Sequence, residues 1–167
     1  KRVGFGMVTI HAGHGWLLHQ FLSPITNTRK DKWGGPSIEN RTRLVLAVCE
    51  AIRKEVGPEF AIEIRISGSE CYNGGYDVDE GIAIAKQLDG KVDMIHVSAG
   101  SHEVPEVFTV THPSMFLPDG VNVQYAAEIK KHVKTPVGTV GALGTPELME
   151  EILASGKADV VLAARAL

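Results

Sequence analysis

Residues Ile10 to Arg43 read I-H-A-G-H-G-W-L-L-H-Q-F-L-S-P-I-T-N-T-R-K-D-K-W-G-G-P-S-I-E-N-R-T-R, and the order of chemistries in that stretch sets the architecture. The branched apolar run Met7 to Ile10 ends in His11, and a long polar loop carries the chain to Pro36. Ser37 then stands where a helix N-cap belongs. Beyond it Leu44, Val48, Ala51, Ile52 and Val56 recur at the three-to-four spacing of a buried stripe, until Gly57-Pro58 stops the helix. Strand, long loop and helix together make one parallel β/α unit.

Working outward, the same unit recurs. Further apolar runs lie at Ala61 to Ile66, Val92 to Val97, Pro136 to Val140 and Asp159 to Ala163. Between them, Asp77 with Glu80 predicts a capping box before Ile82, Ala85 and Leu88. A weaker helical pattern covers Val123 to Val133, and Thr145-Pro146-Glu147 opens a helix that presents Leu148, Ile152 and Leu153 and ends at Gly156. Connections leaving the strands are long, notably Ala12 to Pro36, Ser67 to Tyr76 and Ala99 to Gly120, whereas those entering the next strand are short. In a β/α barrel the long loops at the strand C-termini build the active site. The expected fold is therefore α/β: a partial TIM (β/α)8 barrel of five parallel units. Its 167 residues fall short of the about 250 of a complete barrel. Residues 1–167 are read as a single truncated barrel domain with its sheet open or completed by a partner chain, and the open edges predict a homo-oligomer.

Composition narrows the function. A net charge of -3 at pH 7 offers no basic surface for nucleic acid, and no apolar run approaches the about 18 residues that span a bilayer. Cys49 falls in a helical pattern and Cys71 in a loop, so two cysteines supply neither a disulfide framework nor a metal cluster. The expectation is a soluble, cytoplasmic protein with a small-molecule substrate and neither nucleic acid nor membrane as partner.

Three groups of residues carry chemistry. His11 and His14 follow a strand with only Ala12, Gly13 and Gly15 for company, so two imidazoles can grip one small polar atom beside a flat ligand. Val137 to Thr145 runs from a strand into a helix, where Gly141 and Gly144 let backbone N–H groups turn toward an anion; Arg165, after the final strand, is placed to meet it. Arg65 lies within Glu63-Ile64-Arg65-Ile66-Ser67, where a barrel-facing charge is expensive without a partner. That partner is either a ligand or a carboxylate such as Glu63. A competing reading makes His11, His14 and His19 zinc ligands of a hydrolase, although no carboxylate sits convincingly beside them.

Gln20 to Pro24, Asn27, Arg29, Asp31, Trp33 to Gly35 and Glu39 to Arg43, following His11, His14, Gly15, Trp16 and Leu17, give the chain a specific resemblance. It resembles the old yellow enzyme family of FMN-dependent alkene reductases, in particular the enoate reductase and 2,4-dienoyl-CoA reductase branch. Only Pro36 interrupts the pattern, which usually has Ser after the glycines. The resemblance implies that the five units are barrel strands four to eight. It further implies FMN as cofactor, NAD(P)H as reductant, and an alkene conjugated to a carbonyl as substrate. His11 and His14 would bind the carbonyl oxygen, Arg65 the pyrimidine edge of the flavin, and Gly141, Ala142, Ala164 and Arg165 its phosphate. Many relatives place a Tyr proton donor where this chain has Trp16. Ser101-His102-Glu103 is similar to a segment of the dienoyl-CoA reductases whose His assists protonation, making His102 the first candidate, with Tyr72, Tyr76 or water behind it. Asn27, Arg29, Asp31, Asn40 and Arg41 read as a hydrogen-bonded loop scaffold, and Gln20, Phe21 and Leu22 as packing or rim residues. Longer relatives add an iron-sulfur cluster and FAD, which would belong to other parts of the parent protein.

Overall fold

The computed structural model describes residues 3–113 and 116–164. Its five strands are β1 (Met7–Ala12), β2 (Ala61–Ser67), β3 (Met94–Ser98), β4 (Val137–Thr139) and β5 (Val160–Val161). Its helices are α1 (Leu17–Leu22), α2 (Ile38–Val56), α3 (Val78–Leu88), α4 (Phe108–Thr111, entered through a 3-10 turn at Pro105–Val107), α5 (Val123–Lys130) and α6 (Pro146–Ala154).

All pairings are parallel, and the strands lie side by side in sequence order. Because parallel crossovers are right-handed, steps that always advance in one direction put every crossover helix on the same face. A doubly wound sheet must reverse its order at a switch point, and this one does not. The architecture is thus part of a β/α barrel.

Register and the two-residue side-chain period then divide the sheet. His11, Arg65, His96, Gly138 and Val160 form one row across it. The alternate positions Ile10, Ile62, Ile64, Ile66, Ile95, Val97 and Val137 are buried in one cluster with Val45 and Cys49 of α2, Ile82, Ala85 and Leu88 of α3, and Ala126 and Ile129 of α5. Each buried Ile, Leu or Val side chain among them contributes roughly 1.5–3 kcal/mol. A smaller cluster of Val123, Leu143, Ile152 and Ala158 supports the β4–β5 side.

The helix starts follow their sequence signals. Ser37 Oγ accepts from Asn40 N, Asp77 Oδ1 from Asp79 N and Glu80 N, and Thr145 Oγ1 from Leu148 N. The capping box is only half formed. Glu80 pairs with Arg41 instead of reaching back, because Arg41 is 2% exposed and a buried guanidinium needs a carboxylate more than an exposed N–H does. Arg41 also donates to the Leu22 carbonyl at 2.6 Å, so it ties α1, α2 and α3 together. Asn40 and Arg41 therefore belong to the first turn of α2 and not to the loop. Within that loop Asn27 Nδ2 donates to the carbonyls of Phe21 and Trp33, and Arg29 pairs with Asp31, as a scaffold requires.

Other boundaries move. β3 begins at Met94, since the Asp93 carboxylate is turned aside to accept from Ile62 N and to pair with Arg53. β4 and β5 are shorter than their apolar runs, and α1 and α4 are too short to leave a periodic signal. Cys49 is buried within α2, which pushes its thiol up to about 11. Among the described residues no helix is long and apolar enough to cross a membrane.

Candidate active site

At the C-terminal end of β1 the chain turns close over β2. A Cβ on Gly13 would sit 3.1 Å from Ile66 C and Ser67 N, a tight approach to backbone that glycine makes without strain. His14 follows with φ 61, a left-handed conformation costly for a residue with a Cβ. The surroundings hold it: His14 N donates to Ser67 Oγ at 3.1 Å, Ser67 Oγ donates to the Gly100 carbonyl at 2.8 Å, and His102 N donates to the His14 carbonyl at 3.0 Å. Loops after three strands are thereby stitched together. The His14 ring is oriented by a 2.9 Å hydrogen bond between Nε2 and Ser98 Oγ.

The imidazoles form a continuous series. Ring centroids of His11 and His14 are 5.1 Å apart, those of His14 and His102 5.5 Å, and those of His102 and His112 4.8 Å. Phe108 stacks on His112 at 4.5 Å. All four histidines line one cavity of about 510 Å³ together with Arg65, Ser98, Asn122, Gly141, Ala142 and Ala164. No carboxylate lines it among the described residues.

Burial first, and then the Arg65 charge, lowers the pKa of His11 and takes that of His14 down to about 2. Both rings are neutral near pH 7, and each offers one N–H donor. Arg65 is half-buried, and its one side-chain hydrogen bond among the described residues runs from Nη2 to Ser98 Oγ at 3.5 Å, with Nε left unpartnered there. Glu63 makes no direct ion pair with it. That carboxylate accepts from Thr9 Oγ1 at 2.7 Å and pairs with His96 Nδ1, although its charge still favours the Arg65 cation from a distance. Of the two partners left open for Arg65, the carboxylate is committed elsewhere.

On the far side of the cavity, Gly141 has φ 126 and Ala142 φ 50, so their backbone turns in a way that side-chain-bearing residues rarely adopt. The Gly141 carbonyl accepts from Gly120 N at 3.0 Å, which ties this turn to the loop after β3. Gly144 is not on the lining, and the first turn of α6 is already capped by Thr145. Ala164 lines the cavity, whereas Arg165 lies outside the described residues.

Three sequence candidates are displaced. Tyr72 donates to Glu70 Oε1 at 2.9 Å and Tyr76, fully buried, to the Ser67 carbonyl at 2.8 Å; neither lines the cavity. His19 accepts from Gly15 N through Nδ1 and lies 3.5 Å from Glu70 through Nε2, so it packs behind the loop and is no third ligand beside His11 and His14. Trp16 is 56% exposed, with its ring 5.5 Å from that of His102. His112 and Asn122 are cavity residues that sequence reasoning missed. Both belong to the long connection after β3, and membership of a strand-C-terminal loop was the available signal.

Comparison with known proteins identifies the family. A model of the NADH:flavin oxidoreductase / NADH oxidase family matches residues 1–167. The chain is 43% identical over 168 residues to an NADH oxidase of Thermoanaerobacter brockii, covering 100% of this chain and 25% of that protein. It is 38% identical over 173 residues to an NADPH dehydrogenase of Listeria monocytogenes serotype 4a (strain HCC23), covering 100% and 46% respectively. Among solved structures it is similar to 2-naphthoyl-CoA reductase in complex with 2-naphthoyl-CoA, with TM-score 0.85 and 32% identity over 96% of this chain and 24% of that one. Morphinone reductase in complex with tetrahydroNAD gives TM-score 0.67 and 30% identity over 96% and 40%. The chain thus spans between about a quarter and a half of the length of these relatives. With the whole chain matched and the barrel architecture shared, it belongs to the NADH:flavin oxidoreductase / NADH oxidase family of oxidoreductases.

Proposed function

We propose that the whole protein reduces the C=C bond of an α,β-unsaturated carbonyl compound, an enoate or an enoyl- or dienoyl-CoA-type thioester, using FMN held in this cavity and NAD(P)H as the hydride source. One observation carries the reading: a neutral imidazole pair, a guanidinium with no ion-pair partner among the described residues and a third imidazole all meet in a cavity whose described lining contains no carboxylate. The lining suits the cofactor. Arg65 offers positive charge to an electron-rich ring edge, and the turn at Gly141 and Ala142, with Ala164, suits a phosphate, to which Arg165 would add its charge. FMN, when bound, supplies hydride chemistry between the nicotinamide and the alkene.

The chain's own residues do the rest. His11 and His14 donate N–H groups to the substrate carbonyl oxygen, so electron density drawn onto that oxygen is stabilised where it develops. Ser98 fixes the His14 ring, and burial keeps both rings neutral, so they act as hydrogen-bond donors and lose no proton. His102 delivers the proton to the α-carbon, a role supported by its place on the lining and by the hydrogen-bonded commitments of Tyr72 and Tyr76. The free edges of β1 and β5 are met by the remaining strands of the whole protein or by a second copy. The thioester option gains support from the 2-naphthoyl-CoA bound to one structural relative.

Anaerobic stopped-flow measurement on the full-length protein tests this. NADH or NADPH should reduce bound flavin, and an enoate or enoyl thioester should reoxidise it. Reduction without reoxidation by any conjugated alkene would refute the substrate class.

A further inference from the structure

Asn122 sits at the N-cap of α5, a position where asparagine ordinarily caps the helix with its own side chain. Here it makes no such bond: its φ and ψ are -91 and -8, and its carbonyl alone serves the helix, accepting from Tyr125 N at 3.1 Å. The side chain is 1% exposed, yet neither Nδ2 nor Oδ1 has a hydrogen-bond partner among the described residues. It faces the cavity and leans on the Gly141 turn, where a Cβ would sit 2.7 Å from Asn122 Nδ2. A buried amide unpaired at both ends destabilises the fold unless a ligand completes it.

The chemistry of the completing group follows from what an amide needs. A phosphate or carboxylate oxygen accepts from Nδ2 and leaves Oδ1 unmet, and an ammonium does the reverse. Neighbouring hydroxyls satisfy both ends, one accepting from Nδ2 while the next donates to Oδ1. Asn122 leans on the Gly141 turn, read as the phosphate end of the site, while Arg65, read as the ring end, occupies the same lining, so a group near Asn122 lies beside the phosphate end and between the two. We infer that Asn122 is a cofactor-binding residue that recognises the polyhydroxylated ribityl segment of the flavin through both atoms of its amide. This rests on the reading of the cavity as a flavin site.

Three probes separate the segments: lumiflavin carries neither polyol nor phosphate, riboflavin carries the polyol alone, and FMN carries both. Deflavinated full-length protein is titrated with each, following the change in flavin fluorescence. Asn122→Ala should lose about tenfold in affinity for riboflavin and for FMN alike, with lumiflavin unchanged. Asn122→Leu, which fills the space without polar atoms, should show the same losses, while its apoprotein melts no lower than wild type because an unpaired buried amide has been removed. Loss for FMN alone would assign the amide to the phosphate, equal loss for lumiflavin would assign it to the ring, and unchanged affinities would make it scaffold; each overturns the inference. Wild-type apoprotein that takes up none of the three flavins would instead overturn the flavin reading itself.

Discussion

The two faces of the sheet are built on opposite principles. Toward the helices, Ile10, Ile62, Ile64, Ile66, Ile95 and Val97 make a continuous apolar layer with no polar atom to satisfy. One residue away along the same strands, Thr9, His11, Glu63, Arg65, His96 and Ser98 make a polar layer in which Arg65 Nε and His96 Nε2 have no partner among the described residues. A single period-two alternation thus gives one face to stability and the other to chemistry. Stability is sacrificed on the interior face: among the described residues, Arg65 Nε and His96 Nε2 of these strands are left incomplete there, where a ligand can complete them.

Acid should expose that asymmetry most strongly. Burial lowers His14 to about 2 and His19 and His96 to about 4, from an ordinary 6.5. Below 6.5 the unfolded chain takes up protons that the folded chain refuses, so stability is fully present above 6.5 and falls as pH drops, until the folded-state values are reached. Each group contributes up to about 1.4 kcal/mol per pH unit in that window. Denaturant midpoints from pH 7.5 to 4.5 measure the slope, and His96→Gln should flatten it. A midpoint insensitive to pH across this window would show that the polar layer carries no such penalty.

Next in size is the apolar layer. Ile64→Ala should cost about 2–5 kcal/mol of folding stability, while the flavin affinity of the molecules that remain folded is unchanged. Its neighbour should do the reverse: Arg65→Met should weaken FMN binding by about 1.5–3 kcal/mol and leave the urea midpoint of the apoprotein unchanged or raised. Exchanged outcomes at these adjacent positions would break the comparison.

His102→Ala should slow flavin reoxidation by the alkene by about 10²-fold and leave flavin reduction by nicotinamide nearly untouched, a split read directly from the two half-reactions. The smallest effect is expected from Trp16→Tyr. Its exposed ring, next to His102 and off the cavity lining, should change that step less than threefold on the electrostatic scale of a surface contact. A large acceleration would place a phenol at this position in the proton path.

Legibility followed the same division. The helix-facing isoleucines and the caps at Ser37, Asp77 and Thr145 were readable because each signal is local: a spacing, or one side chain bonding to the next turn. The division of β2 into an isoleucine face and an Arg65 face was equally local. Glu80 was misread because its partner Arg41 lies 39 positions away, and the commitments of Tyr72, Tyr76 and His19 depend on the loop of Glu70 and on the backbone of Ser67 and Gly15. Nothing local marks Asn122 as a site residue until the position of Gly141 is known, and His112 becomes a site residue only once α4 turns it toward His102. The histidine pair and the glycine turn were visible as motifs. Their convergence on one cavity is a property of the register that joins β1, β2 and β3 and of the loops that follow.

Whether this cavity holds a flavin is decided by the visible absorption spectrum of the full-length protein. The protein should absorb blue light, lose that absorption when NADH or NADPH is added without oxygen, and lose bound flavin when Arg65→Met is combined with Asn122→Leu. A folded protein that is colourless as purified and remains so after incubation with FMN would contradict the account.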